Sequence, residues 1–141
     1  MPAREVWKLR VWYDARHDFV GVTFEGGALT TPESVGHLAK ELLARMRTFD
    51  QVQDLIVEYD GIVVAPELRS LFSGARLQVG DKVGSRIYRV GSSESARELF
   101  APQGRGPSSG IVLYPDRETA IAAMLEERRL RNERPKLSAA W

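Results

Sequence analysis

The chain reads as an α/β domain with a mixed, mainly parallel sheet opened by an N-terminal antiparallel hairpin, in the order ββαβαβαβα. Three observations predict this class. Two segments of period-two alternation open the chain, separated only by Ala15–Asp18. Short β-branched runs then alternate with helical stretches, and the first of those helices carries strong start signals. Finally, 141 residues, 43% hydrophobic and 28% charged, suit one domain of ordinary composition.

From Val6 to Asp14, Trp7, Leu9, Val11 and Tyr13 fall on one face and Lys8, Arg10, Trp12 and Asp14 on the other. Phe19–Glu25 follows with Val20, Val22 and Phe24 together, so the two form a hairpin, ended by Gly26-Gly27. Thr31-Pro32-Glu33 starts a helix: a capping hydroxyl, a proline whose missing N–H costs nothing, and an acid at the positive dipole end. Val35, Leu38, Ala39, Leu42, Leu43 and Met46 give it one apolar stripe. Leu55–Tyr59 is apolar and β-branched, as a buried central strand should be. Ile62–Ala65 is expected as a loop or short extension.

A second helix is expected from Pro66 to about Ala75, with Leu68, Leu71 and Phe72 inward. Arg86–Val90 is a strand, and Ser92-Ser93-Glu94 caps a short third helix bearing Ala96, Leu99 and Phe100. Pro102–Gly110 is a glycine- and proline-rich loop before a last strand, Ile111–Tyr114. Pro115 stops that strand, and Asp116 caps a helix carrying Ala120, Ile121, Met124 and Leu125. One domain is expected over residues 1–127, with 128–141 a charged helix end and tail.

Composition removes several function classes. Without cysteine there is no disulfide framework, thiolate metal site or thiol nucleophile. The first residues lack the profile of a secretion signal, and no apolar run nears the ~20 residues of a membrane span. A cytoplasmic protein that does not enter the membrane is expected. Net charge is +1, and the five bases between Glu126 and Lys136 are interspersed with three acids. Such a pattern solvates a helix end and weighs against nucleic acid as a partner.

The order of elements, the hairpin ending Val22-Thr23-Phe24-Glu25-Gly26, the helix Pro32–Arg47, Leu55–Asp60 and the closing Val112–Ala120 run resemble the STAS-like (SpoIIAA-like) domain family of bacteria. The resemblance covers roughly residues 6–127. It implies a protein-binding regulator rather than a catalyst. In the anti-sigma-factor antagonists of that family, a serine after the central strand is phosphorylated and the added charge disrupts partner binding. Here that stretch is Asp60-Gly61-Ile62-Val63-Val64-Ala65-Pro66, with no hydroxyl, and Ser70 and Ser73 lie a turn or more into the next helix. The resemblance therefore carries over no functional residue.

A few individual residues suggest chemistry of their own. Glu58 and Asp60 sit at the carboxyl end of the central strand, where open α/β sheets place sites, and could act as an acid–base pair; Asp60-Gly61 alternatively makes a turn. His17 and His37 have no metal-ligand spacing, and no Gly-x-Ser-x-Gly elbow is present. Gly104–Gly110 lacks Gly-Lys-Ser/Thr and precedes a strand, unlike a phosphate loop. Trp12 lies opposite Trp7, so an aromatic is left either for a partner surface or for a covering helix or tail. The expected function is a non-catalytic regulatory or protein-interaction module without cofactor or metal. It would use Asp60, Gly61, Ser92, Ser93 and Trp12 toward a protein partner or a second copy of itself. The alternatives are a pocket for a small anionic or apolar ligand and, third, an enzyme using Glu58 and Asp60.

Overall fold

A computed structural model describes residues 7–49, 53–83, 86–100 and 112–133. Helices cover both faces of one sheet. Strands β1 (Trp7–Asp14) and β2 (Phe19–Leu29) form the antiparallel hairpin, with Tyr13 opposite Val20. Then follow α1 (Pro32–Met46), β3 (Asp54–Glu58), β4 (Val63–Val64), α2 (Arg69–Val83), β5 (Arg86–Val90), α3 (Glu94–Leu99), β6 (Leu113–Tyr114) and α4 (Arg117–Glu133). The sheet order is β1-β2-β3-β5-β6, and every pairing after the hairpin is parallel. This is the expected mixed sheet with its antiparallel edge.

Three elements depart from the sequence reading. Gly26-Gly27 does not end β2. A register shift between Lys8 and Leu9, with Gly27 at φ 127°, lets the strand run on to Leu29. Its last residues then pair with Val63 and Val64, so the segment expected as a loop contains a short strand, β4. The second helix begins as a 3-10 turn at Pro66–Leu68 and runs eight residues past Ala75, to Val83. Gly74 and Gly80 weaken it intrinsically, but Val79 is buried and Val83 packs on the core, so tertiary contact overrides propensity. Leu71, expected inward, is exposed, and so is Tyr13.

The helix starts follow their caps. Thr31 and Ser34 form a reciprocal capping box at α1. Ser93 accepts from the Ala96 N–H at α3. Asp116 accepts from the Thr119 N–H at α4, which holds its carboxyl below the ordinary range, the Thr119 hydroxyl contributing most.

The sheet divides the interior into two cores. On one face, Val22, Phe24, Val57 and Tyr59 pack under α1, α2 and α3, with Val35, Leu38, Phe72 and Leu99. On the other, Phe19, Ile56, Tyr88 and Val90 pack under α4 through Ala120 and Met124. Burying Ile56 and Met124 completely contributes about 1.5–3 kcal/mol each. The sequence boundary between residues 127 and 128 falls inside α4. Gly104–Gly110 and the bases Arg134 and Lys136 lie outside the described residues.

Candidate functional site

The carboxyl ends of β3, β5 and β6 and the turns that follow them form one rim. The Tyr59 N–H donates to the Val90 carbonyl at 2.9 Å, and the Gly91 N–H to the Tyr114 carbonyl at 2.8 Å, so the three strand ends stay in register. Beyond them lie the Asp60-Gly61 turn, the Ser92-Ser93 start of α3 and the Asp116-Arg117 start of α4.

Asp60 and the two serines, separated by over thirty residues in sequence, meet here. Asp60 Oδ1 accepts from the N–H groups of Ser92 at 2.8 Å and Ser93 at 2.7 Å. Burial raises the Asp60 pKa, and is the strongest single influence on it. The Ser93 and Ser92 N–H groups and the Ser93 hydroxyl together outweigh burial and hold the carboxyl below its ordinary value. Gly61 is fixed by a close approach: a β-carbon there would lie 1.6 Å from the Phe24 carbonyl oxygen. Ser93 is occupied as the α3 cap, and its hydroxyl lies 3.2 Å from that of Ser95. Ser92 is exposed.

Glu58 has a different set of partners. Arg117 grips it with two nitrogens, Nε and Nη2, and the Thr23 hydroxyl donates to its Oε1 at 3.2 Å. Thr23 also accepts from the Trp12 indole N–H at 3.0 Å, and the Arg117 guanidinium sits 4.6 Å over the Trp12 ring. Trp12, Thr23, Glu58 and Arg117 thus close a ring of contacts. Trp12 lies flat on its cross-strand neighbour Gly21, where a β-carbon would sit 2.2 Å from the indole. Phe19 meets it edge-on at 5.4 Å. So Trp12 is half-buried in the α4 core, while Trp7 packs on the opposite core, as their alternation required.

The two carboxylates therefore serve different tasks: one completes an ion pair, the other caps a turn. His17 lies in the hairpin turn, its N–H donating to Asp14 at 2.9 Å, and His37 is exposed on α1. Among the described residues no three His, Asp or Glu side chains are grouped to hold a metal ion. No described helix is long and apolar enough to cross a membrane.

Sequence reasoning missed the residues that tie α4 down. Arg117 binds Glu58 at one end of β3, and Arg128 binds Asp54 at the other, with Nε–Oδ2 at 2.7 Å. Asp54 and Glu58 are four apart on one strand face, an offset of roughly 13 Å. Arg117 and Arg128 are eleven apart, three helical turns, or roughly 16 Å. Those matching spans were the available signal. Arg128 also donates to the carbonyls of His17 and Asp18, so it fastens the hairpin turn as well.

No family model matches the chain, and no curated protein does. Among solved structures it is similar to the anti-sigma factor antagonist SpoIIAA in its unphosphorylated form. The TM-score is 0.50 at 14% identity, over 92% of this chain and 100% of that one. With its hairpin edge, parallel remainder and helices on both faces, this chain has a STAS-like fold.

Proposed function

We propose that the chain is a non-catalytic regulatory module that binds a protein partner through the rim at the carboxyl end of its sheet. One observation carries this reading: the two carboxylates at the end of β3 are committed to internal partners, Glu58 to Arg117 and Thr23 and Asp60 to two backbone N–H groups. Neither is left as a free base. On the same rim Val63 stands 53% exposed beside the Asp60-Gly61 turn, an apolar side chain left largely open to solvent. The likeness to an anti-sigma factor antagonist supports a domain that works by occupying another protein. In this reading the chain is a cytoplasmic protein, not an enzyme. Asp60, Gly61, Ser92 and Ser93 shape the contact surface, and Trp12 braces it from behind.

A photo-crosslinking side chain at position 63, with a control at the exposed Gln78 on α2, tests the assignment. A discrete adduct, either with a partner or with a second copy seen also by light scattering, is expected from position 63 and not from 78. With the crosslinking side chain moved to the exposed Ser92 of the same rim, Val63→Asp should abolish the adduct without lowering the melting temperature. Equal labelling from both positions, or a concentration-independent monomer with no adduct, would sink the reading.

A further inference from the structure

Under α1 and α2 the sheet leaves a cavity of about 50 Å³. That is room for roughly three waters, or for a short alkyl chain. Leu38, Leu42, Val57, Val79, Val83 and Ile87 are among its walls, and among the described residues the polar side chains on the lining are Tyr59 and Arg76. A space walled by hydrocarbon is a poor home for water, which needs polar partners. A groove of about 500 Å³ between α1 and α2 shares Val35, Ala39, Ala75 and Val79 with the cavity, so the two helices frame its access.

Charge at this cavity is unbalanced. The Arg76 guanidinium lies 4.8 Å over the Phe100 ring, and its Nη1 is buried with no hydrogen-bond partner among the described residues. Arg89 Nε is likewise buried and unpartnered. Among the described residues no carboxylate forms an ion pair with either arginine. Tyr59 supplies no negative charge, because burial pushes its hydroxyl pKa up against the pull of both guanidinium groups. Burial in turn lowers the Arg76 pKa, Tyr59 opposes that only in part, and the like charge of Arg89 adds to the lowering. A half-buried cation without a counter-charge is costly, and an anion placed there removes the cost.

We propose that this cavity binds a short-chain carboxylate, its apolar tail among Leu38, Leu42, Val57 and Val79 and its anionic head against Arg76, with Arg89 adding to the field. Hydrocarbon walls select the tail, and the guanidinium groups select the head. The site is separate from the rim and does not depend on the partner reading.

Three probes titrated into the full chain by heteronuclear NMR separate the two requirements: hexanoate carries head and tail, hexanol the tail alone, acetate the head alone. Hexanoate should bind at least about tenfold more tightly than either of the others, with amide shifts centred on Val57, Arg76 and Val79. Arg76→Gln should bring hexanoate down to the level of hexanol, and Ala75→Leu, which fills the cavity, should abolish binding of both. The comparison on the unaltered chain needs no variant to fold. Hexanoate binding no better than hexanol or acetate, or an undiminished preference in Arg76→Gln, overturns the proposal. Val63→Asp should leave hexanoate binding intact, so a failure of the rim reading and a failure of this one are distinguishable.

Discussion

The two faces of the sheet bury apolar side chains alike but treat arginine in opposite ways. Under α4, Arg117 and Arg128 reach carboxylates of β3, and these two pairs are matched in charge. Under α2, Arg76 and Arg89 crowd a neutral tyrosine with no carboxylate paired to them among the described residues. The first arrangement fastens a helix, since two ion pairs at matched spacing fix both its position and its direction on the sheet. The second leaves electrostatic cost in place. A surface built only for stability would have no reason to keep it, and the carboxylate proposed above would remove it.

Breaking the larger clamp should give the largest effect. Asp54 is 1% exposed, its Oδ1 already has no partner, and Arg128 is its counter-ion. Arg128→Ala should therefore cost about 3–5 kcal/mol, because a buried carboxylate is left without its cation. The readout is a lower urea midpoint at unchanged slope. Replacing both residues by leucine should recover most of the loss, since exchanging a buried pair for hydrocarbon is close to neutral. A single variant as mild as a surface pair would erase the contrast between the faces.

The other end of the clamp is more open to solvent, with the Arg117 side chain 39% exposed. Arg117→Ala should cost only about 1 kcal/mol, and tryptophan emission should shift because the guanidinium leaves the Trp12 ring. On the α2 face the same residue type should behave otherwise. Arg76→Met gives up a contact with Phe100 but removes an unpaired, desolvated charge, so stability should stay within about 1 kcal/mol of wild type. A loss comparable to that of Arg128→Ala would show that Arg76 holds the fold, and the two faces would then be equivalent.

Much of this architecture was legible because local signals agreed with the final packing. Thr31-Pro32 started α1, and the alternation of β1 separated Trp7 from Trp12. The failures came where distant residues overrode local ones. Gly26-Gly27 reads as a terminator until β4 arrives from over thirty residues away to pair with Ala28 and Leu29. The second helix reads as ending near Ala75 until Val79 is seen to be buried and the helix to run on to Val83. At the rim, Asp60, Ser92 and Ser93 were each picked out, but nothing local tells that one oxygen of Asp60 joins them. Asp54 looked like a polar boundary to an apolar run. Only the partner on α4, seventy-four positions later, makes it a buried ion.

Where the two faces meet, at the rim, the smallest effect is expected and its sign follows from protonation. The folded-state pKa of Asp60 lies below the ordinary carboxylate value because the Ser93 and Ser92 N–H groups outweigh burial. A depressed folded pKa adds stability that is fully present above the unfolded pKa of about 3.9 and is lost as pH falls through the folded one. Asp14, Asp116 and Glu126 are also depressed, so the acid limb of the whole chain does not isolate Asp60. The difference between wild type and Asp60→Asn does. Asparagine keeps an acceptor oxygen and loses only the charge, and the group is exposed, so the gap at neutral pH should be well under about 1 kcal/mol. Urea midpoints measured across the acid range should show that gap closing as pH falls below the carboxylate range. A gap that stays constant with pH would mean that the two N–H groups bind a neutral acceptor equally well, and that the β3–α3 junction rests on shape rather than on charge.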